Sequence, residues 1–192
     1  MTYKKILMAI MCLTAVFAFS SCKQDDEIDI NKEAAKLKEN QILLDGKIQD
    51  VTCALGIRPA GKGWEGDPGA YYVDIMPVDQ SLTWHGRYDL GLPLIGKTIN
   101  LADPEKALDG YQFSMYFEQG DDYLNMNNMF GLEGGRGILE DKELSGSCFK
   151  SGTFKTSHDK KDGFHLTFSG VLVNEKPIAL KAYLPEADVQ YW

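Results

Sequence analysis

Downstream of about residue 46 the chain alternates apolar and polar positions with a period of two, the signature of strands that bury one face. "YYVDIMP" sets Tyr71, Val73 and Ile75 on one side, and "YQFSMYF" sets Tyr111, Phe113, Met115 and Phe117 opposite Gln112, Ser114 and Tyr116. "FHLTFSG" places Phe164, Leu166 and Phe168 inside and His165, Thr167 and Ser169 outside, and "IALKAYL" buries Ile178, Leu180, Ala182 and Leu184. Between the runs stand "QGDD", "DKKDG" and "NEKP", turn chemistry in which Pro177 opens its strand where a missing N–H costs least. Short strands joined by such turns, without a long amphipathic helix, predict an all-β fold over residues 41–192, a single antiparallel sandwich or barrel whose strand order is not readable.

The N-terminal pattern is of another kind. Lys4 and Lys5 precede an apolar run from Ile6 to Phe19. At about 14 residues it is shorter than the ~20 that span a hydrocarbon core, so residues 1–21 read as an export signal. The "FSSC" that follows resembles the lipobox of bacterial lipoproteins, with Phe19 where leucine is usual. That resemblance implies that the Cys22 thiol is acylated, the signal is removed and the cysteine becomes the first residue. A lipid with more than one acyl chain holds a protein stably, at ~0.8 kcal/mol per buried methylene. The next residues, Lys23, Gln24, Asp25, Asp26 and Glu27, resemble the acidic export signal of Bacteroidetes surface lipoproteins, which implies an outer-membrane protein facing the cell exterior. Residues 22–40 read as a lipidated acidic tether, in which Ile30, Ala34 and Leu37 recur at the spacing of a short helix.

Charge narrows the partners. Loss of Lys4 and Lys5 with the signal moves the formal net charge of the 192-residue chain from −8 to −10. Nucleic acid rewards basic stripes, so it is not an expected partner; the membrane is reached through the lipid, not through basic side chains. Of four cysteines, Cys12 leaves with the signal and Cys22 carries lipid. Cys53 and Cys148 remain in an extracytoplasmic setting that permits a disulfide. A bridge closing their roughly 100-residue loop would stabilise by ~4 kcal/mol, but Cys53 shares a face with Val51 and Leu55 and also reads as core.

Two stretches carry a family resemblance. "SGTFKTSHDKKDGFHLTFSGVLVNEKPIALKAYLP" (Ser151 to Pro185) looks like the C-terminal strand-turn-strand unit of uncharacterised lipoproteins from gut Bacteroidetes, and "GLPLIGKTINLADP" (Gly91 to Pro104) is similar to a segment of the same group. The resemblance implies a β-sandwich or calycin-like β-barrel on the cell surface and supplies no catalytic residue.

The residues themselves offer little chemistry. His85, His158 and His165 lack metal-binding spacing, so no metal site and no cofactor is expected. "GLEGGRG" lacks the strand-to-helix context of a phosphate cradle. Asp121 and Asp122, with Glu118 nearby, suit a turn better than a glycosidic carboxylate pair, and neither "EGDPGA" nor "DKKDG" has the alternating oxygens of a calcium loop. What rises above this background is aromatic. Trp64 lies in the glycine-rich "GKGWEGDPG", and Trp84 and Tyr88 lie in "WHGRYD". Exposed rings there would offer flat platforms to a glycan or a protein partner. The leading expectation is a non-catalytic, membrane-anchored binding or accessory module. The alternative is a calycin-like carrier whose inward strand faces line a cavity for a small apolar ligand, and a hydrolase comes third.

Overall fold

The structure, a computed structural model, describes residues 29–63, 65–118, 126–131 and 135–192. Thirteen strands form one sheet: β1 (Gln41–Leu44), β2 (Lys47–Arg58), β3 (Ala70–Pro77), β4 (His85–Gly91), β5 (Thr98–Asn100), β6 (Phe113–Glu118), β7 (Met126–Phe130), β8 (Arg136–Leu139), β9 (Lys142–Leu144), β10 (Phe149–Asp159), β11 (Gly163–Leu172), β12 (Pro177–Leu184) and β13 (Val189–Tyr191). The path runs β5-β10-β11-β12-β1-β2-β3-β4-β6-β7-β8-β9, antiparallel throughout, with β13 joined in parallel to β2. The all-β expectation therefore holds, and the described helices α1 (Ile30–Ala34) and α2 (Glu105–Leu108) are each about one turn.

Local chemistry fixes the register. Asp45 and Gly46, at φ 51° and 73°, make the two-residue turn between β1 and β2, the left-handed pair that matches strand twist. "DKKDG" joins β10 to β11, with the Asp159 carboxylate accepting from Lys161 N at 2.7 Å. "NEKP" joins β11 to β12, with Pro177 opening the strand as its missing donor requires.

The sheet curls because β2 is long enough to serve two neighbours. Its first residues pair with β1, and from Val51 onward it pairs with β3, carrying β3, β4 and β6 over β10, β11 and β12. Their inward rings meet. Phe154 lies 5.2 Å from Phe113 and 5.7 Å from Tyr88 between ring centres, Tyr71 lies 5.5 Å from Phe164, and the Tyr71 hydroxyl bonds Thr156 Oγ1 at 2.8 Å. At these positions the inner faces pack against each other and do not stand apart around a cavity.

Side chains fasten the far ends of the path. The Ser147 hydroxyl donates to Leu101 O, just past β5, at 2.5 Å, and Cys148 N donates to Asn128 Oδ1 of β7 at 2.9 Å. The Cys148 thiol donates to Ile138 O at 3.2 Å and to Asn127 O at 3.4 Å, and burial pushes its pKa up to about 11. Cys53 and Cys148 are free thiols, so of the two readings left open by the sequence the bridge is not the one formed. The reason is orientation: Cys148 is turned to the β7–β8 seam, while Cys53 packs on the inner face of β2, where burial raises its thiol to about 12.

One boundary is corrected as well. Asp29 caps α1 by accepting from Asn31 N and Lys32 N, and Ile30 and Leu37 are buried against Leu43 and Ala179 on the outer side of β1 and β12. Residues 29–40 are thus docked on the sheet and not a free tether, since burying each large aliphatic side chain stabilises by about 1.5–3 kcal/mol.

Candidate functional site

The residues expected to offer exposed rings do not share one fate. Trp84 and Tyr88 are core. Period two puts Trp84, Gly86, Tyr88 and Leu90 on the inner side of the chain leading into and through β4. Trp84 is 2 % exposed, with its indole N–H on Gln49 Oε1 at 2.9 Å and its ring 6.0 Å from Phe117. Tyr88 is fully buried among Phe117, Phe154 and Phe168, its hydroxyl has no hydrogen-bond partner, and desolvation raises its pKa well above the ordinary value. The expectation of surface platforms at these two residues is overturned.

Trp64 lies outside the described residues, and so do Cys22, Lys23, Gln24, Asp25, Asp26 and Glu27, the "QGDD" turn and the carboxylates Asp121 and Asp122. The residues around Trp64 are described, and they form a built loop. Asp67, 3 % exposed, accepts from Gly63 N at 2.8 Å and Gly69 N at 2.9 Å and pairs with Arg58 Nη1, while its carbonyl accepts from Gly61 N at 2.9 Å. One buried carboxylate thereby ties the loop to the end of β2.

Beside this loop, on the outer face of β3, β4 and β6, stands a cluster that the alternation of β4 turns outward: His85, Arg87 and Asp89 against Gly86, Tyr88 and Leu90. From β3 come Tyr72 and Asp74, and from β6 come Tyr116 and Glu118. Ladder pairing sets Arg87 between Asp74 and Tyr116, and Tyr72 between Gly56 and Asp89.

Gly56 leaves a gap in that row, and Trp192 fills it. Trp192 N donates to Ile57 O at 3.1 Å, and a Cβ at Gly56 would come within 2.8 Å of the indole Cζ2. The indole stacks on Tyr72 at 5.4 Å and 18°, and the Arg87 guanidinium lies 5.2 Å from the centre of the same tyrosine ring. Trp192, Tyr72 and Arg87 are therefore three groups in successive contact, and Trp192 is 60 % exposed.

Polar contacts hold the row. Arg87 Nε donates to Asp89 Oδ1 at 2.8 Å and lies 3.9 Å from Asp74 Oδ1, and the Asp89 hydrogen bond raises the guanidinium's pKa further. His85 Nε2 meets Asp74 Oδ1 at 3.1 Å, and its ring stands edge-on to Tyr116. The side chains of Asp74, His85 and Arg87 are each about one-third exposed (36 %, 36 % and 33 %), so they are ordered yet reachable.

Elsewhere the chemistry is structural. His158 turns inward beside the β10–β11 turn, to Glu186 Oε2 at 2.8 Å, and is half-buried, not solvated. His165 points outward as its alternation predicts and meets Asp162 at 3.0 Å. Among the described residues no three His, Cys, Asp or Glu side chains are grouped to hold a metal ion, and no helix is long and apolar enough to cross a membrane. No protein-family model, curated protein or solved structure matches this chain.

The sequence reading missed Tyr72, Tyr116, Arg87 and Trp192. Strict alternation through "YYVDIMP", "YQFSMYF" and "WHGRYDL" is the signal for the first three. Trp192 carried no local signal, because its neighbour across space, Gly56, is set by the parallel pairing of β13.

Proposed function

We propose that this protein is a non-catalytic, membrane-anchored surface lipoprotein that works as a binding or accessory module for a glycan or protein partner. The observation that carries the reading is the outward row Trp192, Tyr72 and Arg87, an exposed indole stacked on a half-buried tyrosine, backed by a cation that two carboxylates fix. Aromatic and arginine side chains held rigid on a sheet are the groups that dominate recognition surfaces. The rings that meet inside the sheet favour this reading over the carrier of a small apolar ligand.

The anchor rests on "FSSCKQDDE" and has its own test. Cys22→Ala abolishes lipid labelling and frees the exported protein from the membrane; an alanine variant labelled and processed like the parent would contradict the lipoprotein reading. Replacing Lys23 to Glu27 with neutral residues makes the protein inaccessible to protease added to whole cells, and unchanged accessibility would remove the argument for surface display. The binding reading is tested by Trp192→Ala and Trp64→Ala beside the parent in surface capture. Loss of capture in either variant, with unchanged thermal stability, supports a recognition surface at that end of the sheet.

A further inference from the structure

We infer that the occupant of the Trp192 row is a neutral pyranose glycan several units long. The inference rests on the binding-module reading and adds the chemistry of the ligand.

Three observations point to it. First, the exposed indole is a flat apolar surface standing beside planar polar groups, and a pyranose presents the complementary pair, an apolar C–H face and a rim of hydroxyls. Second, the polar groups suit hydroxyls. The carboxylates Asp74 and Asp89 accept, the Arg87 guanidinium donates in a planar fork, and all are pre-positioned by contacts with one another. Third, the charge balance sets the ligand's sign. Among the described outward side chains of β3, β4 and β6, the three carboxylates Asp74, Asp89 and Glu118 outnumber the one arginine, Arg87. Arg87 is already engaged by Asp89, so a uronate or sulfate brought to the row meets an excess of like charge from these strands. Neutral hydroxyls meet no such penalty.

Length follows from spacing. Trp192 and Tyr72 are 5.4 Å apart and Tyr72 and Arg87 5.2 Å apart. One sugar ring on the indole leaves the carboxylates and guanidinium beyond it untouched, so a chain is needed to use both.

The experiment is native affinity electrophoresis of the full chain in gels containing a neutral β-glucan, a mannan or a galactan, beside polygalacturonate and a sulfated polysaccharide. Trp192→Ala, Asp74→Asn and Lys155→Ala run alongside, with melting curves for each. The expected result is retention by at least one neutral polymer, weakened about tenfold or more by Trp192→Ala, weakened by Asp74→Asn, unchanged by Lys155→Ala, and competed by its tetrasaccharide but not by its monosaccharide. Asp74→Asn keeps the size of its side chain, so its result stands even if Trp192→Ala unfolds. Retention by the anionic polymers alone, by no polymer, or unchanged in both row variants overturns the inference. A protein partner lost with Trp192→Ala while no polymer is retained overturns the glycan and leaves the binding module; partner and polymer binding both indifferent to Trp192 and Trp64 overturns both.

Discussion

The curled sheet has two outer faces over one shared interior, and they are built differently. Over β10, β11 and β12 the outward residues include Thr153, Lys155, Ser157, Thr167, Ser169 and Lys181, mostly short hydroxyls and lysines paired across the ladder, with the His165–Tyr183 ring pair at one end and part of the surface covered by α1. Over β3, β4 and β6 they are Tyr72, Asp74, His85, Arg87, Asp89 and Tyr116, joined to one another and to Trp192. Inward, the two halves contribute the same kind of apolar ring. A solvated face needs only polarity, so its identity is cheap to change. A face on which half-exposed rings and charges hold each other in place is specified beyond what folding requires, and that difference is the reason to assign recognition to it.

The largest test breaks the interior that both faces rest on. Phe154 touches Tyr88, Phe113 and Phe168, so Phe154→Ala should cost about 3–5 kcal/mol in chemical denaturation. Both faces should lose hydrogen-exchange protection together; loss confined to one would mean that the halves fold separately.

The next separates them. Asp67→Ala removes the carboxylate shared by Gly63, Gly69 and Arg58 and should cost about 3 kcal/mol, roughly 10 °C in Tm. Exchange should quicken at the β2–β3 end beside Trp192 and stay unchanged at Lys155 and Thr167.

Smaller effects distinguish two inner tyrosines. Tyr71→Phe deletes a satisfied hydroxyl on Thr156 and should destabilise by about 1 kcal/mol. Tyr88→Phe deletes a buried hydroxyl that has no partner and should be neutral or stabilising by up to about 1 kcal/mol. Urea midpoints of the two variants should therefore move in opposite senses or differ clearly.

The smallest concerns the segment that delivers Trp192. The Tyr191 hydroxyl donates to Glu186 Oε1 at 2.7 Å, and burial first, then this bond, raises its pKa to about 12. Its contribution is complete below the ordinary tyrosine value of 10.0 and is lost as pH rises through the raised one. Glu186 is shifted the other way, below the usual carboxylate range, by Tyr191 and then His158. Its contribution is present above the ordinary value of 4.5 and fades as pH falls through the lowered one. Tyr191→Phe should flatten the alkaline limb of the stability profile and Glu186→Gln the acid limb.

The interior was legible because burial on one face writes a period of two into the chain, as in Phe164, Leu166 and Phe168. The turns were legible because Asp159 to Gly163 and Pro177 act through their own backbone. The same rule, carried through "WHGRYDL", separates Trp84 and Tyr88 from His85, Arg87 and Asp89; indole and phenol rings drew attention to residue type where position decided the outcome. Strand order, the Cys148 seam and the placing of Trp192 over Gly56 depend on pairings far apart in sequence, for which no local pattern exists.

The most direct measurement of the central claim is an amide and indole NMR map of the full chain during titration with a tetrasaccharide of whichever neutral polymer retains it. Shifts should concentrate on the Trp192 indole, Tyr72, Asp74, Arg87 and Tyr116 and leave Lys155, Thr167 and Lys181 unmoved. Shifts centred on the Lys155 face, or on inward residues such as Tyr88 and Phe154, would contradict the account.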